Sequence, residues 1–129
     1  MPDAAHADVT LHYEVEGPAD GPPLLLVMGL GAQMTAWTPE FRAALVARGF
    51  RVVHFDNRDV GRSTWFDAAG VPDLAALLSG TATFEPPYLL ADMADDAVAV
   101  LDDLGIAAAH VVGASMGGMI AQAIAVGHP

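Results

Sequence analysis

Residues 108–118, which read AAHVVGASMGG, place a short apolar segment directly before a Gly-x-Ser-x-Gly pattern and one further glycine. The apolar part is typical of a buried strand, and the apolar residues 119–126 that follow are typical of a helix. Between strand and helix the backbone can reverse sharply only if the positions two before and two after Ser115 lack side chains. Gly113 and Gly117 meet this requirement. We therefore predict a strand–turn–helix unit that projects the Ser115 hydroxyl above the sheet.

A serine held in this way is a candidate nucleophile, and the positive end of the following helix points toward it. Gly118 is expected to let that helix pack more closely. The alternative is a glycine-rich turn that binds phosphate or is merely structural. Neither the dinucleotide-binding spacing GxGxxG nor the P-loop spacing with its lysine is present, and this disfavours phosphate.

A second pair of glycines lies in residues 27–31, VMGLG, after an earlier apolar run. Ligands of an open parallel sheet bind outside the carboxyl ends of its strands, so we expect this loop and Ser115 to share one crevice. Acyl transfer through a serine needs two donors for the developing oxyanion, and the backbone N–H groups of Leu30 and Met116 are candidates. Gly29 would allow the loop to approach closely. A flexible turn after a strand is the alternative interpretation.

The rest of the chain alternates between strand and helix patterns. The predicted strands are 9–16, 24–28, 50–55 and 108–112, and the predicted helices are 39–48, 72–78, 88–104 and 119–126. Thr38 is expected to cap the first helix and Gly105 to end the third. The remainder of 63–87 is expected to be irregular. This order predicts an α/β fold with a mostly parallel sheet and helices on both faces.

The helix predicted over 88–104 is strongly acidic on one side. Its apolar stripe is expected to pack on the sheet while its aspartates face solvent, namely Asp92, Asp95, Asp96, Asp102 and Asp103. A row of carboxylates could instead bind a cation, but a solvated helix face is the more common meaning of such a row. We therefore expect no metal site.

Composition limits the classes of partner. The 129 residues suit one domain, and they include five Arg, no Lys and sixteen Asp plus Glu, for a formal net charge of −11. Nucleic acid and anionic membranes are disfavoured, because both bind through clustered cations. The absence of Cys excludes disulfides and thiolate metal sites, and the apolar run 24–30 is too short to span a bilayer. We expect a cytoplasmic protein that acts on a small molecule without a cofactor.

Three motifs resemble, in their order and spacing, the N-terminal half of the α/β-hydrolase-fold serine hydrolases. They are residues 28–30 followed by Trp37, residues 55–63 (FDNRDVGRS) and residues 112–118 (VGASMGG). The match covers nearly the whole chain, so residues 1–129 are expected to be the N-terminal part of one such domain. The resemblance implies that Ser115 is a nucleophile, that two backbone amides form an oxyanion hole, and that Asp56 and Arg58 organise a structural loop.

The chain departs from the common family pattern at two positions. Met28 stands where many members have His, which matters little because the Leu30 amide would do the work. Asp59 stands where many members have Gly. The Asp59 version resembles a smaller group that includes methyl-ester hydrolases acting on polyketide-type substrates.

The family's acid and catalytic His follow the nucleophile in that order. Only fourteen residues follow Ser115 here, and they contain no Asp or Glu. We therefore expect a fragment, a truncated gene product or one half of a split protein, with the acid and base beyond this chain and little or no turnover by the chain alone.

The histidines of the chain are poor candidates for the general base. His54 is expected to pack inside a strand, and His110 and His128 are expected to lie far from the Ser115 hydroxyl. The other two, His6 and His12, fall in the polar N-terminal region.

The sequence thus predicts a serine hydrolase that cleaves a carboxylic or methyl ester through an acyl-enzyme. An incomplete sheet would leave the strand before Ser115 as an unpaired edge. The alternative is therefore a non-catalytic or split module that pairs through this edge with a second copy or a complementary C-terminal half. A third hypothesis is C–C bond hydrolysis or cofactor-free perhydrolysis through the same serine.

Overall fold

The computed structural model of the chain describes residues 3–66, 74–80 and 88–129. Within these residues five strands form one sheet in the order β1-β2-β4-β3-β5. The strands are β1 (Asp3–His6), β2 (Val9–Glu16), β3 (Pro23–Val27), β4 (Arg51–Phe55) and β5 (His110–Gly113). The helices are α1 (Pro39–Ala47), α2 (Leu74–Ser79), α3 (Leu90–Asp103) and α4 (Met116–Gly127), and a 3-10 helix covers Met34–Ala36.

The sheet is parallel in the half that contains the serine turn. β3 runs parallel to both β4 and β5, with Leu25 opposite Val53 on one side and Val111 on the other. β1 and β2 form a hairpin that joins β4 antiparallel. The predicted α/β architecture is confirmed, with a mixed sheet. Among the described strands β5 is an edge strand, as predicted, because it pairs with β3 alone.

Both faces of the central strands are buried, which explains their unbroken apolar sequences. α3 and α4 cover one face, where the buried side chains include Leu25, Val53 and Phe55. The opposite face holds Leu24, Leu26 and Val52 with Trp37, and the partly buried Leu45 and Val46 of α1 pack against them. The sheet therefore separates two apolar layers, as a strand period of two requires.

Local signals place most element ends correctly. The Thr38 hydroxyl oxygen accepts a hydrogen bond from the Phe41 amide at 3.2 Å, so it caps α1 as predicted, and Gly105 ends α3 with a φ of 69°. Helix α4 begins at Met116, three residues before the predicted start at 119. Two successive glycines have poor helix propensity, and the prediction therefore placed them outside the helix. Most of the stretch 63–87 predicted to be irregular lies outside the described residues.

β1 is absent from the sequence-based prediction. Its four residues bury a single apolar side chain, Ala4. One inward side chain is too weak a signal for a strand, and the pairing with β2 is what defines it.

The prediction that Asp96 faces solvent is wrong. Its side chain is 1% exposed and accepts two hydrogen bonds from Arg58, at 2.6 Å from Nε and 2.8 Å from Nη2. This bidentate pair joins α3 to the loop after β4. The helical pattern assigned Asp96 to the acidic side, and it could not show that an arginine 38 residues away reaches it.

His12 is also misplaced by the prediction of a polar N-terminal region. It lies in β2 with 2% of its surface exposed, and its Nδ1 is 3.2 Å from Asp3 Oδ1. His54 has the predicted packing role in β4, with Nε2 3.2 Å from Glu16 Oε1. Its Nδ1 is buried without a partner among the described residues.

We predict that His54 makes the folded chain less stable as the pH falls. Burial, and secondly the charge of Arg42, hold the pKa of His54 below its ordinary 6.5. Neutral His54 therefore contributes its full stability above about pH 6.5. As the pH falls below that value the unfolded state takes up the proton first, so this contribution is lost. The urea midpoint should fall less between pH 7.5 and pH 5.5 in His54→Gln than in the wild type. An equal fall in both proteins would contradict the assignment.

Within the described residues, none of the helices has the length and apolar character needed to cross a membrane.

Candidate active site

Ser115 occupies the backbone reversal that the sequence predicts. Its φ of 55° and ψ of −122° lie in a region that residues with a side chain rarely adopt. The residue is exposed, at the end of β5 and directly before α4. The strand before it is not buried as predicted, because β5 is an edge strand whose four residues are exposed or partly exposed. A strained backbone held between a strand and a helix is a common feature of functional positions. The Ser115 side chain therefore stands at the carboxyl edge of the sheet.

The glycines around Ser115 differ in how much space the structure leaves for a side chain at each position. A Cβ at Gly113 would lie 2.1 Å from the Gly117 carbonyl oxygen, and one at Gly117 would lie 2.0 Å from the Val27 carbonyl oxygen. Both neighbours are backbone, so neither can move without moving the turn or β3. A Cβ at Gly118 would meet its nearest atom, the Gly113 carbonyl oxygen, at 3.6 Å. Gly118 is therefore not required for close packing, contrary to the prediction.

We expect Gly117→Ala to destabilise the fold by about 3 kcal/mol or more, because the added methyl group displaces backbone rather than a flexible side chain. Gly118→Ala is the matched control, and we expect it to leave the free energy of unfolding unchanged or to raise it by up to about 1 kcal/mol, because alanine favours the helix. Urea unfolding of both variants measures the difference. Equal midpoints would show that the contact at Gly117 is relieved without cost.

The loop after β3 lies directly against the serine turn. A Cβ at Gly29 would be 3.0 Å from both Ser115 Cβ and the Ala114 carbonyl oxygen. The Ala114 amide donates to the Val27 carbonyl oxygen at 3.0 Å. The two predicted glycine-containing segments are thus brought together at one place.

The residues with the candidate oxyanion amides flank this contact. Leu30 follows Gly29, and its side chain is 72% exposed. Met116 is the first residue of α4, where a backbone N–H has no acceptor within the helix. Both amides therefore belong to segments that meet beside Ser115.

Asp56 organises the loop after β4. It is 3% exposed, and its two carboxylate oxygens accept from the amides of Met34 at 2.8 Å and Arg62 at 3.0 Å. Gly61, with a φ of 53°, leaves room for this carboxylate, since a Cβ there would lie 2.2 Å from Asp56 Oδ2. Asp56 thus joins the loop after β4 to the loop after β3.

Asn57 has no role in the sequence-based prediction, yet it touches the same loop. Its side-chain amide donates to the Met28 carbonyl oxygen at 2.8 Å, and its side chain is buried. The only signal in the sequence is its position next to Asp56.

Asp59 connects two points of the chain that are far apart in sequence. It has a left-handed φ of 67°, and its carboxylate accepts from the Phe66 amide and from the Tyr88 hydroxyl, the latter at 2.6 Å. The rings of Phe66 and Tyr88 lie 5.3 and 5.0 Å from the Arg58 guanidinium carbon. Burial, followed by the bond to Asp59, raises the pKa of Tyr88. The hydroxyl therefore remains a hydrogen-bond donor at neutral pH.

No histidine among the described residues is bonded to the Ser115 hydroxyl. His110 is at the opposite end of β5. His128 follows α4, about 20 Å along the helix from Ser115 at the standard rise, and its Nε2 is 2.8 Å from Asp95 Oδ1. The site as described therefore contains a serine and candidate donors without a general base.

Known proteins share this architecture. The family model of the alpha/beta hydrolase fold matches residues 22–129. The protein named "Putative carbamate hydrolase RutD" of Variovorax paradoxus is 40% identical over 119 residues, which cover 92% of this chain and 38% of that protein. Rhodomycin D methylesterase DnrP of Streptomyces peucetius is 41% identical over 123 residues, 95% of this chain and 36% of that protein.

The chain also resembles a solved structure. The enol-lactonase from Burkholderia xenovorans LB400 matches with a TM-score of 0.76 and 31% identity, over 98% of this chain and 42% of that chain. The chain therefore spans about two fifths of the length of the proteins that it matches.

Proposed function

We propose that this chain, which belongs to the α/β-hydrolase family, contains the nucleophile and the oxyanion hole of a serine esterase. The observation that supports the proposal most directly is the left-handed, exposed Ser115 with Gly29 packed against its Cβ. In this proposal the Ser115 hydroxyl and the Leu30 and Met116 amides face one point above the sheet, and the contact between Gly29 and the serine turn supports it. A serine reaction that develops negative charge on a carbonyl oxygen requires this combination.

In the proposed reaction the Ser115 oxygen bonds to the ester carbonyl carbon and its proton passes to a general base. The N–H groups of Leu30 and Met116 stabilise the negative charge on the carbonyl oxygen. The alkoxide then leaves with a proton from the base, and water hydrolyses the acyl-enzyme to the acid. We place the base and its acid partner outside this chain, because none of the described histidines reaches Ser115.

We propose an apolar carboxylic or methyl ester as substrate. Two apolar residues beside the serine turn are exposed. Leu30, which follows Gly29 in the loop that packs on the turn, is 72% exposed, and Met119, four residues after Ser115, is 56% exposed. One relative is named as a methylesterase and another as a carbamate hydrolase, and esters and carbamates both contain a carbonyl group bonded to oxygen.

The test is covalent labelling of the protein as its gene encodes it. A fluorophosphonate should modify Ser115 and no other serine, and hydrolysis of methyl esters should stop in proportion to labelling. A folded protein that hydrolyses such esters while Ser115 remains unlabelled would refute the proposal.

A split or non-catalytic module is the second candidate, and the edge position of β5 among the described strands favours it. Val112 on this strand is 39% exposed, and an unpaired edge can accept a further strand. Co-purification with a C-terminal half of the fold would support this candidate. A stable monomer that ignores such a partner would contradict it.

A further inference from the structure

We propose that Asn57 is a positioning residue that fixes the backbone of the loop carrying the Leu30 amide. This inference rests on the proposed function, and it assigns to a residue outside the predicted site the task of aiming one oxyanion donor. The observation behind it is the 2.8 Å hydrogen bond from Asn57 Nδ2 to the Met28 carbonyl oxygen.

The Met28 carbonyl oxygen lies between the loop after β4 and helix α4. The Asn57 amide bonds to it from the loop after β4, and a Cβ at Gly117 of α4 would lie 2.9 Å from the same oxygen. A peptide group is planar, so fixing this carbonyl also fixes the direction of the Gly29 N–H. The next peptide, which carries the Leu30 N–H, then starts from a defined position.

The loop is held at its other end by a different side chain. Asp56 accepts from the Met34 amide at 2.8 Å. Asp56 and Asn57, which are neighbours in the loop after β4, therefore hold residues 34 and 28 of the segment after β3. Gly29 and Leu30 lie between these two points. The span therefore has little freedom to drift from Ser115, which a preorganised donor requires.

The surroundings of Asn57 argue against a role in stability alone. It is 2% exposed, and its Oδ1 is buried without a partner among the described residues. An unsatisfied buried acceptor is unfavourable for folding. An apolar residue of similar size would avoid this cost, whereas it would lose the donor to Met28. The presence of Asn at this position is therefore better explained by the hydrogen bond from its amide to the Met28 carbonyl oxygen.

The test compares Asn57→Asp and Asn57→Leu with the wild type in the protein as its gene encodes it. The two variants share the loss of the donor, and Asn57→Leu adds no buried charge, so it remains informative if Asn57→Asp does not fold. We expect kcat for a methyl ester to fall about 10- to 100-fold with KM nearly unchanged, since the interaction lost acts in the transition state. The affinity of a trifluoromethyl ketone, whose adduct with Ser115 places an oxyanion in the hole, should fall by a similar factor.

Ser63→Ala is the matched control, because Ser63 is buried in the same loop and the hydrogen bonds of its hydroxyl are to the Asp56 carbonyl oxygen and the His12 amide rather than to residues 28–34. It should lower the melting temperature without lowering kcat or the affinity for the ketone. Folded Asn57 variants with wild-type kcat and ketone affinity would overturn the inference, as would losses equal to those of Ser63→Ala. A wild-type protein that forms no adduct through Ser115 would refute the proposed function itself, and the inference with it.

Discussion

Replacing Ser115 with alanine should lower kcat/KM for a methyl ester by about 10⁴- to 10⁶-fold in the protein as its gene encodes it. The substitution removes the atom that would form the acyl-enzyme, while the backbone amides that bind the oxyanion stay in place. Stability should be unchanged, because alanine and serine meet the same backbone strain at φ 55° and the Ser115 side chain makes no capping hydrogen bond. Initial rates and thermal unfolding measure the two effects separately.

Ser63→Ala should show the reverse behaviour. The Ser63 hydroxyl donates to the Asp56 carbonyl oxygen at 2.6 Å and accepts from the His12 amide at 2.9 Å, in a buried position. Its loss should cost about 1–3 kcal/mol of stability and leave kcat unchanged. A Ser115→Ala protein with wild-type activity would remove the serine mechanism and leave the fold assignment intact.

Replacing Asp96 with alanine should destabilise the chain by about 3–5 kcal/mol, because it leaves a buried guanidinium without its counter-charge. Arg58 is 7% exposed, and both of its hydrogen bonds to Asp96 lie in the interior, between α3 and the loop after β4. The pairing also raises the pKa of Arg58, chiefly through the hydrogen bonds to Asp96. The arginine therefore stays charged at any pH at which the chain is folded. Urea unfolding followed by circular dichroism measures the loss.

Asp95 provides the matched control on the same helix. Its carboxylate pairs with His128 at the surface, where both side chains are well exposed, at 46% and 39%. Asp95→Ala should change the stability by less than about 1 kcal/mol. Similar losses in the two variants would mean that the Arg58–Asp96 pair contributes no more than a surface contact.

The parts of the site that sequence predicts are those fixed by local sterics. Gly113 and Gly117 are required by a reversal within five residues, and the structure shows the backbone atoms that a methyl group would meet. Thr38 and Gly105 likewise act on the helix that they adjoin. Such short-range requirements are visible in a single sequence because residue type and geometry are linked directly.

The parts that sequence misses depend on contacts between distant segments. Asp96 and Asp95 are identical neighbours on an acidic helix, and only the fold brings Arg58 to one of them. Asn57 reaches a carbonyl group 29 residues earlier, and His12 is buried because β1 pairs with β2. Polar residues carry no periodic signal of burial, so their partners appear only once the sheet order is known.

Asp59 fixes two positions of the chain between which the number of residues can vary. A single carboxylate accepts from the Phe66 amide and from the Tyr88 hydroxyl, so two residues 22 positions apart in the sequence are fixed at one point. Closing a longer loop on fixed ends costs only about 0.6 kcal/mol for each doubling of its length. The number of residues between two such fixed points can therefore change among related proteins at little thermodynamic cost, without altering the residues that Asp59 holds.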